Sequence, residues 1–223
     1  MSREAFNEES LEVIYGNRFS LTHVYRNKVW QVLIPHFFRN YVPEGGRVLD
    51  LGCGYGEFIN NVQASEKFAL DLNPATGKRL KPGIQWIQKR STDDWGIGEE
   101  SLDVVFTSNF FEHLPGKQDL SDTVDQIRRV LKPGGLLIAM GPNINRVNGA
   151  YWDFWDHYLA LTEKSLSELL ETKKFQITRS ERSFLPYTTV GGRQYPLFFV
   201  RLYLLFPFFW KVFGKQFLVI AKK

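Results

Sequence analysis

The sequence predicts an α/β fold, a doubly wound domain in which a seven-stranded, mostly parallel sheet carries helices on both faces. Three observations predict it. Short apolar runs alternate with helical stretches from residue 47 onward. The first of those runs ends in Asp50 and passes into glycines at alternate positions, Gly52, Gly54 and Gly56. The chain of 223 residues, 43% hydrophobic and 23% charged, is long and apolar enough for a single domain with a full core.

The elements follow in order. Residues 1–42 read as N-terminal helices, because apolar residues recur at helical spacing from Val24 through Trp30, Val32, Leu33, Ile34, Phe37 and Phe38 to Tyr41, with Pro35 as a break. Pro43-Glu44-Gly45-Gly46 makes a turn into Arg47-Val48-Leu49-Asp50-Leu51, a continuous apolar run of the kind a buried parallel strand needs. Strands are expected near 47–51, 67–72, 84–88, 102–107, 135–140, 175–182 and 216–222. Helices are expected near 56–64, 75–80, 120–131 and 163–172, with Lys132-Pro133-Gly134-Gly135 stopping one helix before the next strand. The last strand follows a long insertion, so it is expected to pair antiparallel at or near a sheet edge.

Charge and cysteine content narrow the function. The net charge is +4, with Lys and Arg in ones and twos and never in a basic run, which argues against a nucleic-acid partner. Cys53 stands alone, so an internal disulfide or a multi-cysteine zinc site is excluded and a reducing, cytoplasmic setting is expected. The polar, acidic opening MSREAFNEESLEV does not read as a secretory signal.

The chemistry concentrates in VLDLGCGYGEFI, residues 48–59. Glycines at such a turn accept positive φ and let a ligand approach the backbone closely. The spacing departs from the G-x-G-x-x-G of dinucleotide sites, and Asp50 would repel a diphosphate while suiting a cationic group. Asp71 closes the second strand some 20 residues further on, where a carboxylate suits two ribose hydroxyls.

This D-x-G-x-G-x-G pattern after a strand resembles the S-adenosylmethionine (SAM) loop of class I SAM-dependent methyltransferases. Asp71 resembles that family's ribose-binding acid, SLDVVFTSNFFEHL (101–114) its fourth-strand segment, and RRVLKPGGLLIAM (128–140) its fifth-strand entry. The resemblance covers about residues 44–175 and is nearest the small-molecule enzymes of ubiquinone and menaquinone synthesis. It implies a Rossmann-like fold, an enzyme, and SAM as cofactor. Asp50, Gly52 and Gly54 would hold the methionine end, with Gly56 completing the loop; Asp71 would take the ribose, with Leu72 beside it and Asn109 after the fourth strand. The family's adenine-binding acid falls on Arg90, Ser91 or Asp93; Asp93 is carried here, with backbone contacts at Ser91 and Thr92 as the alternative.

A sulfonium donor is already activated, so the protein chiefly orients the partners and keeps the pocket dry. A hydroxyl acceptor also calls for a base, and the chain has four histidines. His113 follows the fourth strand, where class I enzymes present residues near the methyl group; a packing role is the alternative. His157 lies in YWDFWDHY (151–158), whose aromatics suit a flat or sugar-like acceptor and where Asp156 or Asp153 would orient it; the alternative is a buried aromatic cap. His23 and His36 read as structural. No metal site is expected, because the adjacent side chains of Glu112 and His113 should take different headings.

The stretch QYPLFFVRLYLLFPFFW (194–210) carries one charge, Arg201, is shorter than the ~20 residues of a membrane span, and is interrupted by Pro207. It is either an inserted element packing on the core or covering the acceptor, or an interfacial helix beside Arg193, Lys211 and Lys215. The expected whole is one domain over 1–223: a helical lid (1–42), a SAM-binding core (44–175) and an aromatic insertion (183–215). Its expected function is O-methylation of a small-molecule, glycan or lipid-linked acceptor, in the cytoplasm or peripherally at a membrane's inner face. The alternatives are a non-catalytic scaffold at a membrane and a nucleic-acid or protein methyltransferase. The asparagine-proline-proline-aromatic target motif of the latter is absent, since Asn109-Phe110-Phe111 lacks the prolines.

Overall fold

The computed structural model describes residues 23–187 and 194–223. Helix α1 (His23–His36) and a 3-10 turn (Phe38–Asn40) lead into β1 (Arg47–Leu51), β2 (Glu66–Leu70), β3 (Ile84–Ile87) and β4 (Leu102–Ser108). Then come α2 (Lys117–Val130), β5 (Leu131–Pro142), the short α3 (Ile144–Val147), α4 (Glu163–Thr172) and β6 (Gln176–Glu181). Helices α5 (Leu197–Leu205) and α6 (Pro207–Phe213) precede β7 (Gln216–Lys222).

The strands form one seven-stranded sheet in the order β3-β2-β1-β4-β5-β7-β6. β1 to β5 pair in parallel, and β7 runs antiparallel to both β5 and β6. The last strand therefore lies one place in from the edge, which explains why Phe217 to Ala221 are all buried while β6, outside it, is half exposed.

Side chains alternate across the sheet with the period of two that strands impose. Leu49, Leu51, Leu70, Leu137, Ala139, Phe217 and Val219 face one core with α2 and α4. Val48, Ala69, Ile138, Met140, Leu218 and Ile220 face the other with α1, α5 and α6. α2 fits its groove because Leu120, Thr123, Val124, Ile127 and Val130 recur on a single helical face. α4 is started by a reciprocal capping box between Thr162 and Ser165. On the second face Phe58 stacks on Phe106 with ring centroids 3.8 Å apart.

Three expectations are corrected. No helix forms over 56–64; turns replace it, with only Asn60→Gly56 and Val62→Phe58 as α-type bonds. Asn60 spends its side chain on the carbonyl of Arg79 and the N–H of Lys81, and Asn61 bonds the carbonyl of Glu57, competing with a regular helix. The expected helix at 75–80 is a 3-10 turn, Pro74–Arg79, capped by Asn73. β5 begins at Leu131, not 135: Leu131 already pairs with Leu102, and Lys132–Gly135 form an irregularity before Leu136 pairs with Val104.

α1 accounts for the described part of the N-terminal helices; residues 1–22 lie outside the described residues. Pro35 sits in its last turn. Val24, expected to face inward, is 57% exposed, and Leu33 and Ile34 make the contact with the core instead.

The aromatic insertion packs in part on the core. Leu204 and Trp210 are buried in the second core, with the Trp210 indole donating to the Tyr203 carbonyl. Phe198, Phe199, Leu205, Phe206, Phe208 and Phe213 are exposed. Among the described residues no helix is long and apolar enough to cross a membrane. Arg193 lies outside the described residues.

Candidate active site at the carboxyl ends of the strands

The glycine loop leaves β1 at the end of the sheet where β2 and β4 also finish. Gly52, Gly54 and Gly56 all have positive φ, +68°, +54° and +73°, so the backbone itself requires glycine at the expected places. The N–H groups of Gly52 and Cys53 both bond the Leu70 carbonyl at 2.8 and 3.1 Å, tying the loop to the end of β2. A Cβ at Gly52 would stand 2.4 Å from the Phe110 ring, so that ring is packed directly on the loop.

Asp71 joins the two loops. One of its oxygens accepts from the Gly54 N–H at 2.7 Å and the other from the Asn73 N–H at 2.8 Å. Burial raises its pKa, and those two N–H groups counter part of the rise. Asp50, 3% exposed, is pushed well above the usual carboxylate range by burial, opposed by the Ile59 N–H and reinforced by Glu57 and Asp71. Asp50 and Asp71 are thus buried acids beside the glycine loop, with Glu57 near them and paired to Arg26 at 3.1 Å.

This buried acid has a stability consequence. A carboxylate whose folded pKa is raised costs the folded state stability above its unfolded value, and the cost disappears once pH falls below that value. In the absence of cofactor, Asp50→Asn is expected to raise the thermal midpoint by several degrees at neutral pH, with the gap closing towards pH 3; scanning calorimetry across pH checks it.

The other cofactor candidates are placed with less engagement. Leu72 is 37% exposed and its carbonyl accepts from the Gln88 amide. Asn109 adopts φ +53° at the end of β4, and its amide bonds Ser108 and Gln216. Asp93 is exposed and caps its own turn through the Arg90 N–H at 3.2 Å. Of the alternatives there, Ser91 is buried and shares a 2.7 Å hydrogen bond with Thr123.

The proposed catalytic residues His113, Asp156 and His157 come together. Asp156 meets His113: its carboxylate lies 3.2 Å and its carbonyl 2.9 Å from His113 Nδ1. His157 has Nδ1 2.8 Å from the Tyr151 carbonyl, and Asp153 is exposed. The two imidazole centroids are 4.9 Å apart, and Tyr151 and Phe154 pack on His157 at 4.6 and 5.0 Å. Burial works to lower the His113 pKa, but the Asp156 hydrogen bond and the Glu112 charge outweigh it and the net shift is upward.

Glu112, not expected to take part in a site, stands beside them. It is 2% exposed, and burial raises its pKa to about 7 despite the neighbouring His113. The expectation that Glu112 and His113 diverge is not met. The 3-10 turn Phe111–His113 brings a carboxylate oxygen of Glu112 and a ring nitrogen of each of His113 and His157 within 4.8 Å of one another. The segment 151–158 is pinned over this turn by Tyr158 and Leu159, whose N–H groups both bond the Glu112 carbonyl. The cluster sits on the cofactor side, close enough for His113 to influence the Asp71 carboxylate.

Comparison with known proteins agrees with this geometry. A family described as a methyltransferase domain matches residues 23–180. A probable SAM-dependent methyltransferase of Mycolicibacterium smegmatis is 30% identical over 139 residues, 60% of this chain and 53% of its own length. A tRNA (carboxymethyluridine(34)-5-O)-methyltransferase of Arabidopsis thaliana is 22% identical over 153 residues, 59% of this chain and 38% of its own. The chain thus spans between about a third and a half of these two relatives. A SAM-dependent methyltransferase from Archaeoglobus fulgidus superposes with a TM-score of 0.67 at 18% identity, covering 92% of this chain and 99% of that one. A glycine loop with three positive-φ residues, an acid at the end of β2 and a family match over most of the chain converge: the protein belongs to the SAM-dependent methyltransferase family, whose cofactor is S-adenosylmethionine.

Proposed function

We propose that this domain transfers the methyl group of SAM to an oxygen of a small-molecule, glycan or lipid-linked acceptor. The observation that carries the reading is the adjacency of the acid-lined glycine loop to the His113–Asp156–His157 cluster. Asp50 and the loop hold the methionine end, Asp71 takes the ribose, and Leu72, Asn109 and Asp93 flank the rest of the cofactor. In the transfer the C–S bond breaks as the C–O bond forms, and the electron pair goes to sulfur, leaving a neutral thioether. The acceptor's hydroxyl proton must leave, and His113 or His157 is the base proposed to take it. The family match and the intact loop favour this reading over a non-catalytic scaffold.

The acceptor class is argued from the surface. Trp152 and Trp155, 57% and 85% exposed, stand in the segment that covers the histidines, and the insertion exposes a second aromatic side with Arg201, Lys211 and Lys215 exposed along it. Aromatic residues among cations suit an anionic lipid surface, which favours a lipid-linked acceptor and peripheral membrane contact. The Arabidopsis relative is named for a tRNA substrate, so tRNA belongs among the acceptors tried.

Calorimetric titration with SAM and with S-adenosylhomocysteine tests the cofactor half. Micromolar binding of both is expected, and binding of neither overturns the reading. Sedimentation with vesicles containing anionic lipid tests the other half. The chain should pellet with them and release at high salt; indifference to them would remove the lipid-linked acceptor.

A further inference from the structure

We propose that Glu112, His113 and His157 form a binding site for one divalent transition-metal cation, with its open coordination positions available to an oxygen of the acceptor. Two imidazoles and one carboxylate are a donor set that suits zinc, manganese, iron or cobalt, whereas magnesium prefers oxygen throughout. Three protein ligands also leave room for a water or a substrate, as catalytic sites of this kind do.

The surroundings of the histidines are those of ligands. A metal-binding histidine gives its second ring nitrogen to a carboxylate or a carbonyl, which fixes both tautomer and orientation. Here His113 Nδ1 faces both the carboxylate and the carbonyl of Asp156, and His157 Nδ1 faces the carbonyl of Tyr151. With the proton on Nδ1, the lone pair is on Nε2 in both rings. Tyr151, whose carbonyl does this orienting, is fully buried and anchored by its hydroxyl to the Leu159 carbonyl.

The spacing agrees. A carboxylate oxygen of Glu112 and one ring nitrogen of each histidine lie within 4.8 Å of one another, and tetrahedral bonds of ~2.1 Å would bring the ligand atoms to roughly 3.4 Å. Binding would draw the three side chains together across that difference. Glu112 is 2% exposed, and buried charged groups are paired or coordinate metals.

The site stands on its own geometry; only its link to an acceptor oxygen rests on the methyl-transfer reading. With a cation bound, the histidines act as ligands, and the cation, not a histidine, makes the bound hydroxyl acidic, its proton passing to water.

The test uses the full chain stripped of metal by chelator. Calorimetric titration with Zn²⁺ should show one equivalent bound, undiminished by millimolar Mg²⁺. His113→Gln and His157→Gln should each weaken Zn²⁺ at least about tenfold. Loading the unaltered protein with Cu²⁺ and recording pulsed electron paramagnetic resonance should reveal two imidazoles on the metal, a readout that depends on no variant folding. No stoichiometric Zn²⁺ binding, unchanged affinity in both variants, or fewer than two imidazoles on Cu²⁺ would overturn the site. SAM titration of the same sample separates the two ideas. Cofactor binding without metal removes only the metal site, and metal binding without cofactor removes only methyl transfer.

Discussion

Asp71→Ala is expected to weaken SAM about 5- to 150-fold, the equivalent of about 1–3 kcal/mol for a lost charged hydrogen-bond acceptor. The substitution acts twice. It removes the carboxylate proposed to meet the ribose, and it frees the Gly54 and Asn73 N–H groups that the same carboxylate holds at 2.7 and 2.8 Å. Asp71→Asn keeps one acceptor oxygen and should fall between the wild type and the alanine variant. S-adenosylhomocysteine carries the same ribose, so calorimetry should show both ligands weakening in parallel. A loss confined to SAM would place Asp71 at the sulfonium instead, and unchanged affinity for both would remove it from the site.

That Asp71 is a loop clamp as well as a ligand candidate marks the boundary of what the chain reveals locally. The glycine loop was legible because left-handed φ at Gly52, Gly54 and Gly56 is a demand each residue meets by itself. The buried strands were legible for the same reason, since a continuous apolar run needs cover on both faces wherever it lies. Failures came where a distant partner decides. The segment 56–64 lacks its helix because Asn60 reaches across to Arg79 and Lys81. β5 starts early because Leu102 offers Leu131 a partner across the sheet.

The histidine cluster shows both sides of that boundary within a few residues. His113, Asp156 and His157 were each legible as polar groups in aromatic surroundings. How they meet was not, because that depends on how 151–158 folds back over the turn after β4. Glu112 was hidden for a related reason. Adjacent residues point apart in a strand, whereas here a 3-10 turn and a third residue 44 positions from His113 in the chain complete the group. The signal available was the pair Glu-His directly after a buried strand, a costly place to put a carboxylate without a partner.

The aromatic residues are where exposure must decide between core and contact surface, and their energetics should differ sharply. Phe106→Ala is expected to destabilise the fold by about 3–5 kcal/mol, lowering the thermal midpoint by roughly 6–20 °C. Its ring is 1% exposed, stacks on Phe58 at 3.8 Å and meets Phe38 and Trp30 edge-on at 5.4 and 5.6 Å. It also pairs in register with Asp50, so the cavity would open directly beneath the strand that delivers the glycine loop. Trp155→Ala, by contrast, removes a side chain that is 85% exposed and should change stability by no more than about 0.5 kcal/mol. The same holds for Phe208→Ala, at 69% exposure. If these exposed aromatics are present for contact, vesicle or acceptor binding should fall in the variants while the melting temperature stays put. A Phe106→Ala loss below about 1 kcal/mol, or a Trp155→Ala loss above it, would mean that core and surface have been assigned the wrong way round.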